Sequence, residues 1–373
     1  MRVLITGANG FVGKNLRQHL AERKDVEVVA FNRGDDWASL GDRVADADVV
    51  FHLAGVNRPQ DPQEFVTGNT DLTTALCDAV RAAARAGRVV PVVYASSIQA
   101  ALDNPYGNSK RNAEQALFAL GDAGVPVSVF RLPNVFGKWC KPNYNSVVAT
   151  FCHNIARGLP IQVASADARL QLVYIDDVIA AFLGELDDRR APRDAEGFAL
   201  VAPHYETTVG ELARQIEAFR SSRDTLVSER VGTGFVRALY ATYVSYLPPE
   251  AFAYKVPEYG DQRGVFVEFL KTQDSGQFSF FTAHPGITRG GHYHHTKTEK
   301  FLVIRGEALF KFRHVQTGET CEVRTSGARA EIVETVPGWT HDITNVGTEE
   351  MIVMLWANEI FDRARPDTYA LPL

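Results

Sequence analysis

Two stretches of this chain, far apart in sequence, carry residues whose types and spacing can do chemistry. Near the N-terminus, Thr6-Gly7-Ala8-Asn9-Gly10-Phe11-Val12-Gly13 places glycines every third residue. Between a strand and a helix, glycines so spaced allow a tight turn, close approach by a pyrophosphate and close packing of helix on sheet. The helix N-terminus then faces the phosphates. Farther on, Tyr106 and Lys110 stand four apart, on one face of a helix. An ammonium beside a phenol lowers its pKa, which suits Tyr106 to exchange a proton with a carbonyl or alcohol oxygen while hydride moves. Ser96 and Ser97 precede this pair, and either can hydrogen-bond the same oxygen. The second stretch runs His292-Tyr293-His294-His295 to Glu299 and Gly306, with Pro337-Gly338-Trp339-Thr340-His341 downstream. In an extended strand His292 and His294 point to one side. Glu299 can return from the next strand and His341 can join from a distant one. Three imidazoles and a carboxylate suit zinc or another first-row divalent ion.

The elements that must position these residues fall into two patterns. Up to about residue 135, short apolar runs alternate with helical stretches. Strands are expected at Val3 to Thr6, Val26 to Phe31, Val49 to Leu53, Val89 to Tyr94 and Val127 to Phe130. Helices are expected at Phe11 to Glu22, Thr70 to Ala86 and Tyr106 to Leu120. Continuous apolar strands separated by helices mean a parallel sheet covered on both faces. The pattern breaks near Leu247-Pro248-Pro249. Beyond it the period shortens to two, with strands expected at Phe266 to Leu270, Gln277 to Ala283, Lys300 to Ile304, Leu309 to His314 and Met351 to Trp356. This is an all-β domain, and six of the ten histidines lie in it.

At the end of the second strand a cofactor with a free ribose 2'-OH usually meets a carboxylate. Here Phe31-Asn32-Arg33-Gly34 offers none. Arg33 can pair with a 2'-phosphate, which favours NADP over NAD, although Asp35 and Asp36 follow closely enough to swing in. The chain has 373 residues, the length of two domains, with 39 basic against 45 acidic residues. That balance gives no reason to expect nucleic-acid binding. Cys77, Cys140, Cys152 and Cys321 form neither a disulfide scaffold nor a zinc ribbon. No signal-peptide pattern opens the chain and no apolar run is long enough for a membrane span, so the expectation is a cytoplasmic protein without membrane insertion.

The glycine motif, the Phe51-His52-Leu53-Ala54-Gly55 run, the serine loop and the Tyr106/Lys110 pair resemble an extended short-chain dehydrogenase/reductase, a family acting mostly on nucleotide-linked sugars. The resemblance implies Ser97 (better than Ser96), Tyr106 and Lys110 as catalytic residues. It implies cofactor contacts at Gly7, Asn9, Gly10, Phe11, Val12, Gly13, Arg33, Leu53, Ala54, Tyr106 and Lys110. Further contacts map to Gly55 and to Arg131-Leu-Pro-Asn134-Val-Phe-Gly137, and Val173 to Val178 matches a mostly structural segment. The loop between Ser97 and Tyr106 is short, and the substrate lobe should be trimmed. Lys138-Trp139-Cys140-Lys141-Pro142-Asn143-Tyr144-Asn145 and Asn57-Arg58 are polar and aromatic enough to hold a nucleotide diphosphate or stack on a base or sugar.

The histidine pattern resembles the cupin barrel, whose first motif is His-x-His, then Glu, then Gly, and whose second carries a proline, a glycine and a histidine. Asp261-Gln-Arg263-Gly264-Val-Phe266-Val-Glu268 and Arg289-Gly-Gly-His292 resemble the sugar-nucleotide 3,5-epimerase branch of those barrels. There a histidine at the place of His292 is the proton-abstracting base and metal is usually absent. His292 is therefore either a metal ligand beside His294, Glu299 and His341, or the base. If it is a ligand, His295, Tyr293 or Lys300 becomes a candidate for proton transfer.

The whole chain resembles the bifunctional capsular-polysaccharide enzymes that join such a reductase to a metal-bearing cupin in this order. His52 to Arg58, Gly137 to Ser146, His292 to Phe301 and Phe312-Arg-His314 carry that resemblance. It implies a Rossmann-type α/β reductase domain at 1–245, a linker at 246–257 and an all-β cupin (jelly-roll) barrel at 258–373. It further implies NADPH, a divalent metal (zinc) and a homodimer. The implied activity is C3-epimerisation of UDP-2-acetamido-2,6-dideoxy-β-L-arabino-hex-4-ulose by the cupin. C4 reduction to UDP-2-acetamido-2,6-dideoxy-β-L-talose follows, on the route to UDP-N-acetyl-L-fucosamine. The same two steps on a different nucleotide-linked 4-keto sugar, or a reductase with a purely structural cupin, are the alternatives.

Overall fold

Buried aliphatic runs nucleate the first sheet. Strands β1 (Arg2–Thr6), β2 (Glu27–Phe31), β3 (Val49–His52), β4 (Val92–Ser97) and β5 (Val127–Leu132) pair in parallel in the order β2-β1-β3-β4-β5. Helices α1 (Phe11–Ala21), α2 (Leu72–Arg85) and α3 (Pro105–Asp122) form the connections, and Leu76, Val80, Leu117 and Leu120 pack into the core beneath the strands. The order reverses between β1 and β3. In open α/β sheets that reversal opens a crevice at the carboxyl ends of the strands, where ligands bind. Strand β4 begins three residues later than its apolar run, after Pro91, and continues through both serines. That extension decides which way each serine points. Asn104 ends the following loop by accepting the Gly107 N–H at 2.8 Å, and Pro105 takes the first helical position, where its missing donor costs nothing.

This computed structural model describes residues 1–187, 189–261, 264–267, 270–272, 276–359 and 364–373. Of the stretch resembling the 3,5-epimerase branch, Gln262, Arg263 and Glu268 lie outside the described residues. Contacts divide the chain into two compact units, Met1–Trp139 with Gln171–Glu206, and Cys140–Leu170 with Thr207–Leu373.

The second unit contains two five-stranded antiparallel sheets. Its strands are β6 (Gln277–Ala283), β7 (Thr288–Tyr293), β8 (Glu299–Arg305), β9 (Glu307–His314), β10 (Thr320–Ser326), β11 (Glu331–Glu334), β12 (Trp339–Asn345), β13 (Met351–Ala357) and β14 (Tyr369–Ala370). One sheet runs Ala253–Lys255, β11, β8, β13, β6, and the other runs β10, β9, β12, β7, β14. Phe301 of the first meets Phe310 of the second with ring centroids 5.6 Å apart. This is the double-sheet architecture expected of a cupin barrel. Strands β7, β10, β11 and β12 were not legible as apolar runs, because glycine, charge and threonine interrupt them.

Helices α4 (Val209–Thr225) and α5 (Gly234–Ser245) belong to this second unit. Arg223 of α4 lies 3.4 Å from Glu334 of β11, and Glu334 also pairs with Lys300 of β8, whose Nζ donates to the Tyr254 hydroxyl at 3.0 Å. Lys300 and Glu334 are buried and Arg223 is largely so, so removing the shared carboxylate leaves two cations without their counter-charge, one of them in a low-dielectric interior. Glu334→Gln is expected to cost roughly 3–5 kcal/mol of stability in urea unfolding. Lys300→Met leaves Glu334 its partner Arg223 and should cost less.

Candidate functional site

The glycine loop after β1 is pinned against the loop after β3. Gly7 has φ of +69°, and a Cβ there would lie 2.7 Å from the backbone of Ala54. A Cβ on Gly13 would lie 2.3 Å from the Gly7 carbonyl oxygen. Only glycine fits either place. Beneath them runs a buried proton chain: Ala54 N–H donates to Thr6 Oγ1 (3.2 Å), Thr6 lies 2.7 Å from His52 Nδ1, and His52 Nε2 lies 2.8 Å from Thr73 Oγ1. Thr73 in turn donates to the Asn69 carbonyl at 2.6 Å. Each hydroxyl spends its single proton in one direction, so His52 is neutral with its proton on Nε2. Burial, aided by the Lys110 charge, pulls its pKa down to about 3. His52 is thus a spacer between the two loops. Asn69 and Thr73, which the sequence did not mark, complete it.

At the end of β2 the Asn9 N–H donates to Asn32 Oδ1 at 2.9 Å. The two carboxylates able to compete with a 2'-phosphate are both engaged. Asp35 accepts from Arg43 (2.8 Å) and from the Asn32 N–H (3.2 Å), and Asp36 accepts from the Ala38 N–H (2.9 Å). Arg33 stays 81% exposed, with Glu64 at 2.8 Å.

The alternation of β4 separates its two serines. Ser96 turns inward and donates to Glu114 of α3, which also takes two hydrogen bonds from Arg131, at 3.0 and 2.7 Å. Arg131 in turn lies over the Phe198 ring at 3.8 Å. Ser97 turns the other way and accepts from the Gln99 N–H at 3.2 Å. Lys110 is buried, with Nζ donating to the Ala95 carbonyl at 2.9 Å and lying 4.3 Å from the centre of the Tyr94 ring. One expectation is corrected here. Burial raises the Tyr106 phenol above its ordinary value, and the group that lowers it is Ser97, not Lys110. Lys110 itself is drawn down to about 7 by burial, opposed by Glu114.

The polar loop after β5 is less open than its composition suggests. Lys138 is buried on Asp176 at 2.7 Å and is not available to a diphosphate. Lys141, Asn143, Tyr144 and Asn145 are exposed, and Lys141 Nζ lies 5.1 Å from the Tyr144 ring centre.

In the second unit, β7 and β12 set His292 opposite His341, and β9 and β12 set Phe312 opposite His341, so the three share one face. Glu299 arrives from the facing sheet. The ligand atoms of His292, His294, Glu299 and His341 lie within 4.8 Å of one another. His294 Nδ1 lies 2.5 Å from the Asp367 carbonyl oxygen, which can only accept, so that nitrogen carries the proton. Its Nε2 then faces Glu299 Oε2 at 3.1 Å, and His341 Nε2 lies 3.6 Å from the same oxygen. Burial would raise the Glu299 carboxyl, but His294 and His341 hold it well below its usual value. Burial and the other two histidines lower His292 to about 4. A carboxylate with three imidazoles converging on it is a donor set that a divalent cation satisfies.

Two sequence candidates are elsewhere. His295 packs its ring on Tyr293 and Tyr369, with centroids 5.5 and 4.9 Å away. Lys300 follows Glu299 on β8 and so faces the opposite side of the sheet, into the pair with Glu334. Neither is brought to the donor cluster, and Tyr293 likewise stacks on Tyr369.

A family model described as NAD dependent epimerase/dehydratase family matches residues 3–197, and one described as Polysaccharide biosynthesis C-terminal domain matches residues 259–369. The chain belongs to the NAD dependent epimerase/dehydratase family. It is 60% identical over 371 residues to UDP-2-acetamido-2,6-beta-L-arabino-hexul-4-ose reductase of Pseudomonas aeruginosa, covering 99% of this chain and 98% of that one. The crystal structure of the capsular polysaccharide assembling protein CapF from Staphylococcus aureus aligns over 100% of both chains, with 41% identity and a TM-score of 0.69. UDP-glucose 4-epimerase of Vibrio cholerae is 26% identical over 250 residues, 57% of this chain and 74% of that relative. This family member is an enzyme with a nicotinamide cofactor, and among its described residues no helix is long and apolar enough to cross a membrane.

The Lys110 environment makes a pH prediction. Its ammonium is lost as pH rises through about 7 in the cofactor-free protein, because burial disfavours the charged form. A profile of kcat/KM, which reports groups of the free enzyme, should therefore fall across the neutral range. Glu114→Gln removes the charge that supports the ammonium and should move that limb to lower pH. An unmoved limb would show that Lys110 does not govern it.

Proposed function

We propose that this enzyme acts twice on one nucleotide-linked sugar. The C-terminal barrel (258–373) epimerises C3 of UDP-2-acetamido-2,6-dideoxy-β-L-arabino-hex-4-ulose. The N-terminal segment (1–245), joined to it through 246–257, then reduces C4 to UDP-2-acetamido-2,6-dideoxy-β-L-talose, on the route to UDP-N-acetyl-L-fucosamine. The observation that carries this reading is the presence in one chain of two intact constellations, Ser97/Tyr106/Lys110 and His292/His294/Glu299/His341. A 4-ketone gives both of them work. It accepts reduction at C4, and it acidifies the C3–H bond so that a base can remove that proton and return it on the other face.

NADPH would be held by the Gly7–Gly13 loop, Asn9, Leu53 and Ala54, with Arg33 toward the 2'-phosphate. The engagement of Asp35 and Asp36 supports that preference. His294, Glu299 and His341 would hold a zinc ion, with His292 beside them and off the metal. When bound, the nicotinamide supplies the reducing equivalent, and the ion supplies positive charge for the oxygen of the C3–C4 enolate. Tyr106 donates its phenol proton to the C4 oxygen, while Ser97 hydrogen-bonds that oxygen and keeps the phenol aimed. Lys110, four residues along the same helix and fixed on the Ala95 carbonyl, supplies the positive charge of the site. His292, the one member of its cluster that is only partly buried, is the group we assign to take the C3 proton. The enzyme would work in the cytoplasm as a homodimer. The terminal strand β6, with Phe280 70% exposed, offers an edge to which a second copy could add.

The two steps should separate by mutation. Tyr106→Phe is expected to lower NADPH oxidation by the UDP-4-keto sugar about 10²–10⁴-fold while leaving C3 proton exchange intact. His292→Gln should do the reverse, abolishing exchange while the ability to reduce an already epimerised ketone survives. His341→Gln should lose metal and exchange together. NADPH should outperform NADH, and Arg33→Ala should erode that preference. Exchange that survives in both histidine variants would remove the epimerase assignment.

A further inference from the structure

The last seven residues run back across the strand that carries the metal-type donors. His292 pairs with Ala370 and Tyr293 with Tyr369. The Leu371 N–H donates to the Gly291 carbonyl at 2.8 Å, the Leu371 carbonyl accepts from Thr340, and the Pro372 carbonyl accepts from Arg313 at 2.7 Å. The chain enters this strap through Asp367, a non-glycine residue at φ +39°. Its carboxylate takes three consecutive backbone N–H groups, from His295 (2.9 Å), Thr296 (2.8 Å) and Lys297 (2.7 Å), and the Thr296 hydroxyl at 3.0 Å. On the other side of the same residue, the main-chain carbonyl receives His294 Nδ1. Lys297 closes the arrangement by donating Nζ to the Pro366 carbonyl (3.2 Å) and to Thr368 Oγ1 (2.8 Å).

We infer that Asp367 is a positioning residue for the metal centre: it clamps the turn between β7 and β8 and sets the tautomer of His294. Three successive amides converging on one carboxylate fix the path of residues 295–297, and those residues connect His294 to Glu299. A carbonyl oxygen accepts only, so His294 Nδ1 must carry a proton, and Nε2 is the nitrogen turned toward Glu299 and His341. Partners of this kind orient metal ligands, and their loss typically weakens metal affinity about 10–100-fold. The left-handed backbone at Asp367, unusual for a residue with a side chain, is held by these contacts from both ends. His292 lies in register with the same strap, so the C-terminal segment supports two of the four residues of the cluster. Asp367 does not itself touch the ion, and its effect passes through His294 and the turn.

This inference rests on the metal reading of the barrel proposed above, and the test keeps the two apart. Full-length wild type, Asp367→Ala and Asp367→Asn are stripped of metal and titrated with Zn²⁺ against a chromophoric chelator, with far-UV circular dichroism to check folding. The Co²⁺-loaded forms are compared by visible absorption. Asp367→Ala should bind Zn²⁺ about 10–100-fold more weakly and show an altered Co²⁺ spectrum. Asp367→Asn, which keeps one accepting oxygen for three amides, should fall between it and wild type. Equal affinities and identical spectra across the three would overturn the positioning role while leaving the metal site standing. A wild type that binds neither ion would overturn both. A further measurement needs no variant: ¹⁵N-histidine NMR of the wild type should find a proton on His294 Nδ1, and an unprotonated Nδ1 would contradict the inference.

Discussion

A β-strand can hold a reacting group toward a cleft only if something on its other face keeps the strand from turning. In both halves of this enzyme that anchor is a buried carboxylate and its cation, tied to the residue next to the site residue. On β4, Ser97 faces Tyr106 while Ser96 is tied to Glu114 and Arg131. On β8, Glu299 faces the three histidines while Lys300 is tied to Glu334 and Arg223. Side chains alternate with period two, so a slip of one residue would exchange chemistry for anchor in each case. Buried ion pairs of this kind add little net stability over a well-packed apolar pair. Breaking one by removing a single partner is costly, however, and that asymmetry opposes any slip in register.

The same rule explains what could be read from the sequence. Motifs whose members are close in sequence and whose geometry follows from one element were legible. The glycine loop, the Tyr106/Lys110 spacing and the two-part histidine pattern each carry their geometry in their spacing. The change of period near residue 250 likewise announced the all-β half. Which of two adjacent residues faces the site was not legible in the residues themselves, because it depends on where a strand starts and stops, and only the family resemblance favoured Ser97 over Ser96. The β4 apolar run ends at Tyr94, yet the strand continues to Ser97. Lys300 read as a candidate for proton transfer because its neighbours carry chemistry, and the pleat sends it to the opposite face.

Contacts between distant segments were the least visible. Nothing about Glu114 or Arg131 in isolation marks them as partners, and their pairing depends on α3 lying beneath β5. Asp367 is separated from His294 by an entire sheet's worth of chain and meets it only because β14 returns to β7. The expectation that Lys110 lowers the Tyr106 phenol failed for a related reason. Spacing placed the two on one helix face, but the Ala95 carbonyl and the Tyr94 ring claim the ammonium before it reaches the hydroxyl. Helices α4 and α5, whose sequence continues the α/β pattern, pack with the β-strand unit through Arg223 and Arg237 respectively, a preference that no periodicity encodes.

The central claim is that one ketone is worked on at two sites in series. It is tested most directly by following the UDP-4-keto sugar by NMR in deuterated buffer with metal-replete enzyme, first without cofactor and then with NADPH. The account predicts deuterium at C3 before any NADPH is added, and a talo-configured, C3-deuterated alcohol after it. A C3 position that stays protonated while NADPH is consumed would contradict it, and would leave a reductase carrying a barrel with some other task.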